Sequence, residues 1–362
     1  MLNKKNLIIE DIGLQLSQLD TDFVYKTVSF IITLYISNRA IKTYTLHKDY
    51  KPQNIKKIVL PPELKVNCSE VDFTNIVNNS FLEELKKFTE VITKNLKSED
   101  LINFYNNINT LKTSTKKFNF QNLLFKESVV GNYDVKNNKI LVSLESTSAI
   151  YHELLHMASS FYKDGIKYSG FSQASNFNRY PTLGDGINEG YTELLNRRYF
   201  SKDNMIPYSY EYEIKVAEKL ETIIGKEKME SLYFTANLKG LINELNQYIS
   251  EEEIMKLLSS TDFVLKYLDD NKIRLSKKRM LIDSLKNINL ILLKAYTYKL
   301  IKDYELNIIT QQELINKLSI FIMKTPASVM TDNFECIIMS KNELKEYVEQ
   351  FLKSIEISMI RK

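Results

Sequence analysis

Apolar side chains in the first third of the chain recur at helical spacing. Residues 81–92 and 101–111 each carry large apolar side chains three or four positions apart, the pattern of an amphipathic helix. The adjacent prolines at 61–62 interrupt this region, because proline has no backbone N–H to donate. We therefore predict that residues up to about 117 are mostly helical.

The pattern changes near residue 118. Residues 128–135 and 140–144 are rich in Val, Ile and Leu, and the polar tetrapeptide 136–139 lies between them. Two β-prone runs joined by a turn-forming sequence predict a β-hairpin.

Two helices are predicted after this hairpin. The hydroxyl side chains at 146–148 can cap a helix that runs to about residue 162, where Asp164-Gly165 supplies a left-handed terminating residue. Residues 163–185 are rich in glycine and are predicted to form a loop. A second helix is expected from about residue 185 to residue 200.

The chain beyond residue 207 is predicted to be helical nearly to its end. Its many Lys and Glu side chains are typical of solvated helix faces. The clearest helical segments are 211–224, 226–234, 238–249, 279–303 and 312–323.

Composition and charge argue against several classes of protein. The net charge of +4 over 362 residues provides no basic stripe, so no nucleic-acid partner is predicted. No apolar run approaches the about 20 residues of a membrane-spanning helix, so no membrane span is predicted. The N-terminus lacks the apolar core of a secretory signal, which predicts a cytoplasmic location and leaves unconventional export open. The chain has only two cysteines, Cys68 and Cys336, which lie far apart and outside any CxxC or Cys/His cluster, so neither a disulfide framework nor a zinc ribbon is predicted.

One pentapeptide carries candidate chemistry, His152-Glu153-Leu154-Leu155-His156. Four residues are slightly more than one helical turn, so His152 and His156 project from one face and can bind one Zn2+ ion. Glu153 lies about 100° further round the helix, where it can take a proton from water beside the metal. Because the opposite face is apolar, we expect the histidine face to be the solvent-exposed one.

A catalytic zinc needs a third protein ligand. The only other histidine is His47, which is interpreted as a structural or surface residue. The acidic candidates for this ligand are Asp164, Asp185, Glu189 and Glu193. We select Glu189, since Glu193 shares its helix face and can accept a hydrogen bond from a ligand histidine.

The HExxH sequence followed by Asn188-Glu189-Gly190 resembles the gluzincin metallopeptidases, which include thermolysin-like enzymes and zinc aminopeptidases. The resemblance implies three metal ligands, His152, His156 and Glu189. It implies that Glu153 is the general base and that Glu193 supports the first histidine.

This resemblance covers about residues 128–200 and has two departures. Glu189 follows His156 by 33 positions, which is a longer gap than in the compact members and predicts an inserted loop. No histidine follows the second helix to stabilise an oxyanion, so a tyrosine is expected in that role. Tyr180 is the candidate, with Tyr168 and Tyr191 as rivals.

These observations predict a zinc-dependent hydrolase, a metallopeptidase that cleaves a peptide or protein substrate with zinc-activated water and Glu153 as base. Two alternatives stay open: a non-catalytic zinc-bearing binding or scaffold protein with helical interaction surfaces, and a toxin-like protease with a narrow target. The expected fold is α+β and predominantly helical, with a zincin-like core that contains a small sheet or hairpin and an active-site helix. The predicted regions are a mostly helical 1–117, the catalytic core 118–250 and a helical 251–362.

Overall fold

The computed structural model describes residues 62–63, 71–75, 81–116, 131–143, 148–175, 182–200, 210–268, 275–325, 328–330 and 335–337. In chain order, the helices of these residues are α1 (Leu82–Asn95), α2 (Ile102–Ile108), α3 (Ser148–Ala158), α4 (Asp185–Tyr199), α5 (Glu211–Ile224), α6 (Lys226–Phe234), α7 (Leu238–Leu245), α8 (Glu251–Tyr267), α9 (Leu275–Glu305) and α10 (Gln311–Met323). The strands are β1 (Lys112–Lys116), β2 (Gly131–Asp134), β3 (Lys139–Ser143), β4 (Ser160–Lys163), β5 (Ile166–Ser169), β6 (Ser172–Ser175), β7 (Ser328–Met330) and β8 (Glu335–Ile337). The described chain is therefore an α+β fold in which helix predominates, as predicted.

The described residues divide into two compact units, one within residues 56–244 and the other within residues 245–362. The first unit contains the HExxH sequence and the helix that carries Glu189. The division into three regions at 117 and 250 stays a prediction.

The first sheet of the HExxH unit has the strand order β1-β3-β2. β2 and β3 form the predicted hairpin, antiparallel with Tyr133 opposite Ile140. β1 runs parallel to β3, although the sequence predicted mostly helix up to residue 117. Within the described residues, β2 forms an edge of this sheet.

Most of the HExxH helix α3 is buried, including both of its histidines. Its apolar residues Ile150, Leu154 and Met157 are at most 1% exposed, and they pack toward the core as expected. However, His152 and His156 are each only 8% exposed, so the prediction of a solvent-exposed histidine face is wrong. Helix α4 packs against α3, which explains why this face is buried.

An antiparallel meander, β4-β5-β6, connects α3 to α4. The prediction of a loop over 163–185 is therefore wrong for these strands, and α3 ends at Ala158 instead of near residue 162. The reason is the Asp164-Gly165 pair, in which both residues have positive φ (52° and 79°). Such a pair forms the two-residue turn of a tight hairpin here, and the prediction that it ends a helix is wrong.

Helices α4 and α5 pack closely at Gly190. A Cβ atom added there would overlap the backbone carbonyl group of Glu213, so only glycine allows this approach. Behind the contact, Phe171, Tyr191 and Tyr233 form a cluster of rings with centroids 5.3 to 5.7 Å apart. This buried cluster fixes α4 relative to the meander.

The described part of the second unit is built from α8, α9 and α10, with α9 packed against both other helices. Capping boxes begin α8 at Ser250 and Glu253 and α10 at Thr310 and Glu313. The antiparallel pair β7–β8 follows, so the prediction of helix nearly to the chain end is wrong there. The β-branched residues of these short runs favour strands.

No helix within the described residues combines the length and apolar character needed to cross a bilayer. Residues His47, Cys68 and Tyr180 and the predicted caps at 146–147 lie outside the described ranges.

The contact at Gly190 generates a prediction about stability. Gly190→Ala should lower the free energy of unfolding by about 1–3 kcal/mol, because the added methyl group overpacks the α4–α5 contact. At an uncrowded helical position the same change would stabilise the protein by about 1 kcal/mol. The sign of the change in the free energy of unfolding therefore shows whether position 190 is crowded. Urea unfolding of the full chain measures it, and an unchanged or higher midpoint would contradict the close approach.

Candidate metal centre

Helices α3 and α4 bring three potential ligand atoms together. His152 Nε2 lies 3.1 Å from His156 Nε2 and 3.1 Å from Glu189 Oε2. The distance from His156 Nε2 to Glu189 Oε2 is 3.4 Å. The two histidines come from successive turns of α3, and Glu189 comes from the second turn of α4.

The triangle formed by these atoms has the size that a tetrahedral zinc site requires. Ligand atoms at about 2.0–2.1 Å from a tetrahedral zinc ion are separated by about 3.3 Å from each other. The three observed distances, 3.1, 3.1 and 3.4 Å, bracket that value. Within the described residues, this is the one group of three or more His, Cys, Asp or Glu side chains arranged so that it could hold a metal ion.

Glu193 lies behind His152. Its Oε2 is 3.1 Å from His152 Nδ1 and accepts a second hydrogen bond from the Asn196 amide at 3.1 Å. A proton held on Nδ1 by this carboxylate leaves the Nε2 lone pair of His152 free to bind a metal. Glu193 is only 3% exposed, so water competes little for its carboxylate.

Asn188 tethers the first turn of α4. Its Oδ1 accepts the backbone N–H of Phe171 at 3.1 Å, which connects the helix to the meander. Its Nδ2 is 3.5 Å from His156 Nδ1, beyond the usual range of a hydrogen bond. Asn188 therefore places the neighbouring Glu189 without itself fixing the ring of His156.

The electrostatics of this cluster favour a positive charge between the ligand atoms. Burial disfavours protonated His152, but hydrogen bonds to Glu189 and Glu193 outweigh it and raise its pKa to about 10. Burial acts to raise the pKa of Glu189, yet the nearby histidines hold it well below its ordinary value. In the absence of a metal, a proton on His152 supplies the charge that these carboxylates require.

Glu153 lies beside the triangle, against strand β2. A Cβ atom added to Gly131 would be 2.7 Å from Glu153 Oε1, so a side chain at position 131 would press on this carboxylate. Burial raises the pKa of Glu153, and the two histidines and a backbone hydrogen bond from Tyr133 partly offset this effect. The result is a buried carboxyl group between the edge strand and the imidazoles.

The other acidic candidates for a third ligand are engaged elsewhere. Asp164 lies in the β4–β5 turn, away from the triangle. Asp185 is one helical turn before Glu189 and accepts a short hydrogen bond from Ser172. Burial raises the pKa of Asp185, and the charge of Glu189 adds to this rise. Of the candidates, Glu189 is therefore the residue that faces both histidines.

Within the described residues, a tyrosine outside the three sequence candidates contacts this cluster. The Tyr168 ring stacks on Phe161, and the Tyr191 hydroxyl donates to Glu221 at 2.9 Å. By contrast, the ring of Tyr210 stacks on His152, with centroids 5.8 Å apart and planes 19° apart. Burial raises the pKa of Tyr210, and the carboxylates of Glu189 and Glu153 are the strongest charges that add to this rise.

The position of Tyr210 has a weak sequence signal. It immediately precedes α5, the helix that follows the ligand helix, but the chain contains 22 tyrosines. Its backbone adopts a left-handed conformation (φ 60°, ψ 28°), which a β-carbon disfavours and which no local sequence rule predicts for tyrosine.

Comparisons with protein-family models, curated proteins and solved structures found no match.

The high pKa of His152 predicts proton release on zinc binding. Below about pH 10 the metal-free histidine carries a proton that zinc must displace, so zinc affinity should fall as the pH falls. At pH 8 an ordinary histidine, with a pKa near 6.5, is already neutral and would release almost no protons on zinc binding. We expect about one proton per zinc from this residue, measured by calorimetry in buffers of different ionisation enthalpy.

The control is Glu193→Gln, which removes one of the carboxylates that raise this pKa. Protons lost by water at the site are common to both proteins, so only the contribution of His152 should decrease in the variant. Proton release measured across the range from about pH 7 to about pH 10 should begin to fall at a lower pH in the variant, and superimposable pH profiles for the two proteins would contradict the assignment.

Proposed function

We propose that this chain is a zinc metallopeptidase of the gluzincin type. The observation that carries the proposal is the triangle of His152 Nε2, His156 Nε2 and Glu189 Oε2, whose edges of 3.1 to 3.4 Å suit tetrahedral zinc. Two histidines and one carboxylate are a ligand set that leaves a fourth position for water or substrate, as in catalytic zinc sites. Zinc held there supplies Lewis-acid chemistry, which lowers the pKa of water and polarises a carbonyl group.

Glu153 acts as the general base in this proposal. It is 7% exposed and adjoins both histidines, and its raised pKa makes it a better proton acceptor than a surface glutamate. It takes a proton from the attacking water and delivers that proton to the nitrogen of the leaving amine. The hydroxyl oxygen joins the carbonyl carbon as the C–N bond breaks.

We propose Tyr210 as the hydrogen-bond donor to the substrate oxygen, whereas Tyr180 lies outside the described residues and stays a prediction from the sequence. Its raised pKa keeps the hydroxyl protonated throughout the physiological range, so the group can donate. The ring lies against His152, and Glu189 and Glu153 are the charges that most affect its hydroxyl. A fixed donor at this position stabilises the negative charge that develops on the oxygen.

The proposed substrate is an extended peptide. Strand β2 is an edge of its sheet within the described residues, and its Gly131 backbone adjoins Glu153. A peptide that pairs with such an edge would present its backbone carbonyl groups next to the base. The arrangement of sheet, HExxH helix and glutamate helix supports a zincin-like core.

Replacing the base separates metal binding from catalysis. Glu153→Gln should retain stoichiometric zinc and lower kcat/KM by about 10²–10⁴-fold, because the amide cannot accept the proton. Activity is measured by mass spectrometry on a mixed peptide library, with Glu218→Gln, an exposed glutamate of α5, as the control. Full activity of Glu153→Gln would contradict the role of Glu153 as general base. Wild-type protein that binds zinc but cleaves no peptide would favour a binding function.

Tyr210→Phe should lower kcat by about 10²–10³-fold while KM changes little, because the lost hydrogen bond acts mainly in the transition state. Tyr168→Phe is the matched control, since its ring stacks on Phe161 in the meander. If the two variants had equal activity on a peptide identified from the library, Tyr210 would not be the donor.

A further inference from the structure

Arg197 connects two carboxylates that belong to different helices. Its Nε donates to Glu193 Oε1 at 3.1 Å, one turn earlier on α4. Its Nη2 pairs with Glu211 Oε1 at 2.8 Å, on the first residue of α5. Such a guanidinium group can hold both partners at once because its donors lie in one rigid plane.

The first of these carboxylates is the one behind His152. Glu193 uses Oε2 for His152 Nδ1 and Oε1 for Arg197, so its two oxygen atoms have different partners. A carboxylate held at both oxygens has a single orientation, and it fixes the plane of the imidazole that it contacts. Arg197 thereby acts on the ring of His152 through Glu193.

The second carboxylate adjoins Tyr210. Glu211 directly follows Tyr210, whose carbonyl oxygen accepts the first hydrogen bond of α5 from Ile214 at 2.8 Å. A left-handed tyrosine costs about 1–2 kcal/mol relative to ordinary backbone. No side-chain cap hydrogen bond is made at this helix start, and the Arg197–Glu211 pair lies directly beside the strained residue.

We propose that Arg197 is a positioning residue that couples the orientation of His152 to the placement of Tyr210. Within the function proposed above, on which this inference rests, Arg197 touches neither metal nor substrate. It acts on one side through Glu193 and on the other through Glu211. The metal ligand and the hydroxyl donor are therefore linked through one side chain, in addition to the stacking of their rings.

The ion pairs of Arg197 with Glu193 and with Glu211 can be tested separately by mutation. Arg197→Gln removes both ion pairs. It should weaken zinc binding by about tenfold, because Glu193 no longer holds His152 in one orientation. It should also lower kcat by about 10²-fold, since misplacement of a catalytic group by about 1 Å has that effect. Glu211→Gln neutralises only the carboxylate on α5 and so weakens that contact alone; kcat should fall while zinc affinity is unchanged. The double variant should be no worse in kcat than Arg197→Gln.

Arg197→Lys tests whether charge alone suffices. Lysine keeps the positive charge but offers a point charge instead of a planar fork, so it should restore zinc affinity more than kcat. Lys228→Gln is the control, since it removes a surface cation that pairs with Glu244 at 3.3 Å in the same unit. It should leave zinc affinity and kcat as they are.

Fluorine NMR tests the placement of Tyr210 without requiring catalysis. The full chain is labelled with 3-fluorotyrosine, and the Tyr210 resonance is identified by its loss in Tyr210→Phe. Because the ring stacks on His152, this resonance should shift when zinc is added. In both Arg197→Gln and Glu211→Gln it should move toward the position of solvent-exposed fluorotyrosine in the metal-free protein.

The outcomes distinguish this inference from the proposed function. A Tyr210 resonance unchanged in both variants would overturn the role of Arg197, whether or not the protein cleaves peptides. If the resonance moves as expected but no peptide is cleaved, the positioning role stands and the peptidase proposal fails. Glu211 is 41% exposed at its side chain, so Glu211→Gln should fold even if Arg197→Gln does not.

Discussion

Two imidazole nitrogens and a carboxylate oxygen lie within 3.4 Å of one another between α3 and α4, and the rest of the site depends on that proximity. Polar atoms this close, largely removed from water, need a positive charge between them. A proton on His152 can supply it, as the raised pKa of that residue indicates. In the proposed function a divalent cation would supply this charge, since it would contact all three atoms at once.

The packing around α4 maintains this proximity. Gly190 lets α5 approach at the backbone, Asn188 ties the helix to the meander, and the cluster of Phe171, Tyr191 and Tyr233 fills the space behind. Glu193 and Arg197 extend the same helix face toward α5 and Tyr210. One helix therefore carries a candidate ligand, the carboxylate that supports a histidine, and the side chain that organises the next helix.

Helical periodicity explains how far the site could be predicted from sequence. Residues four apart share a face, so the proximity of His152 to His156, and the common face of Glu189 and Glu193, follow from spacing alone. The β2–β3 hairpin also follows from its two β-prone runs. The Asp164-Gly165 pair is ambiguous in sequence because the same residues end helices and form tight hairpins, and only the pairing of β4 with β5 decides between them. Tyr210 and Arg197 could not be selected, since their roles arise from contacts between helices and from a left-handed backbone.

The most direct test of the account is zinc K-edge X-ray absorption on the full chain after dialysis against metal-free buffer. The account predicts one retained zinc per chain, with four nitrogen or oxygen neighbours at about 2.0–2.1 Å and scattering from two imidazole rings. In Glu189→Gln the first shell should change while both imidazole contributions remain. Zinc that dialyses away, or a retained ion with sulfur neighbours or without the two imidazoles, would contradict the proposed centre.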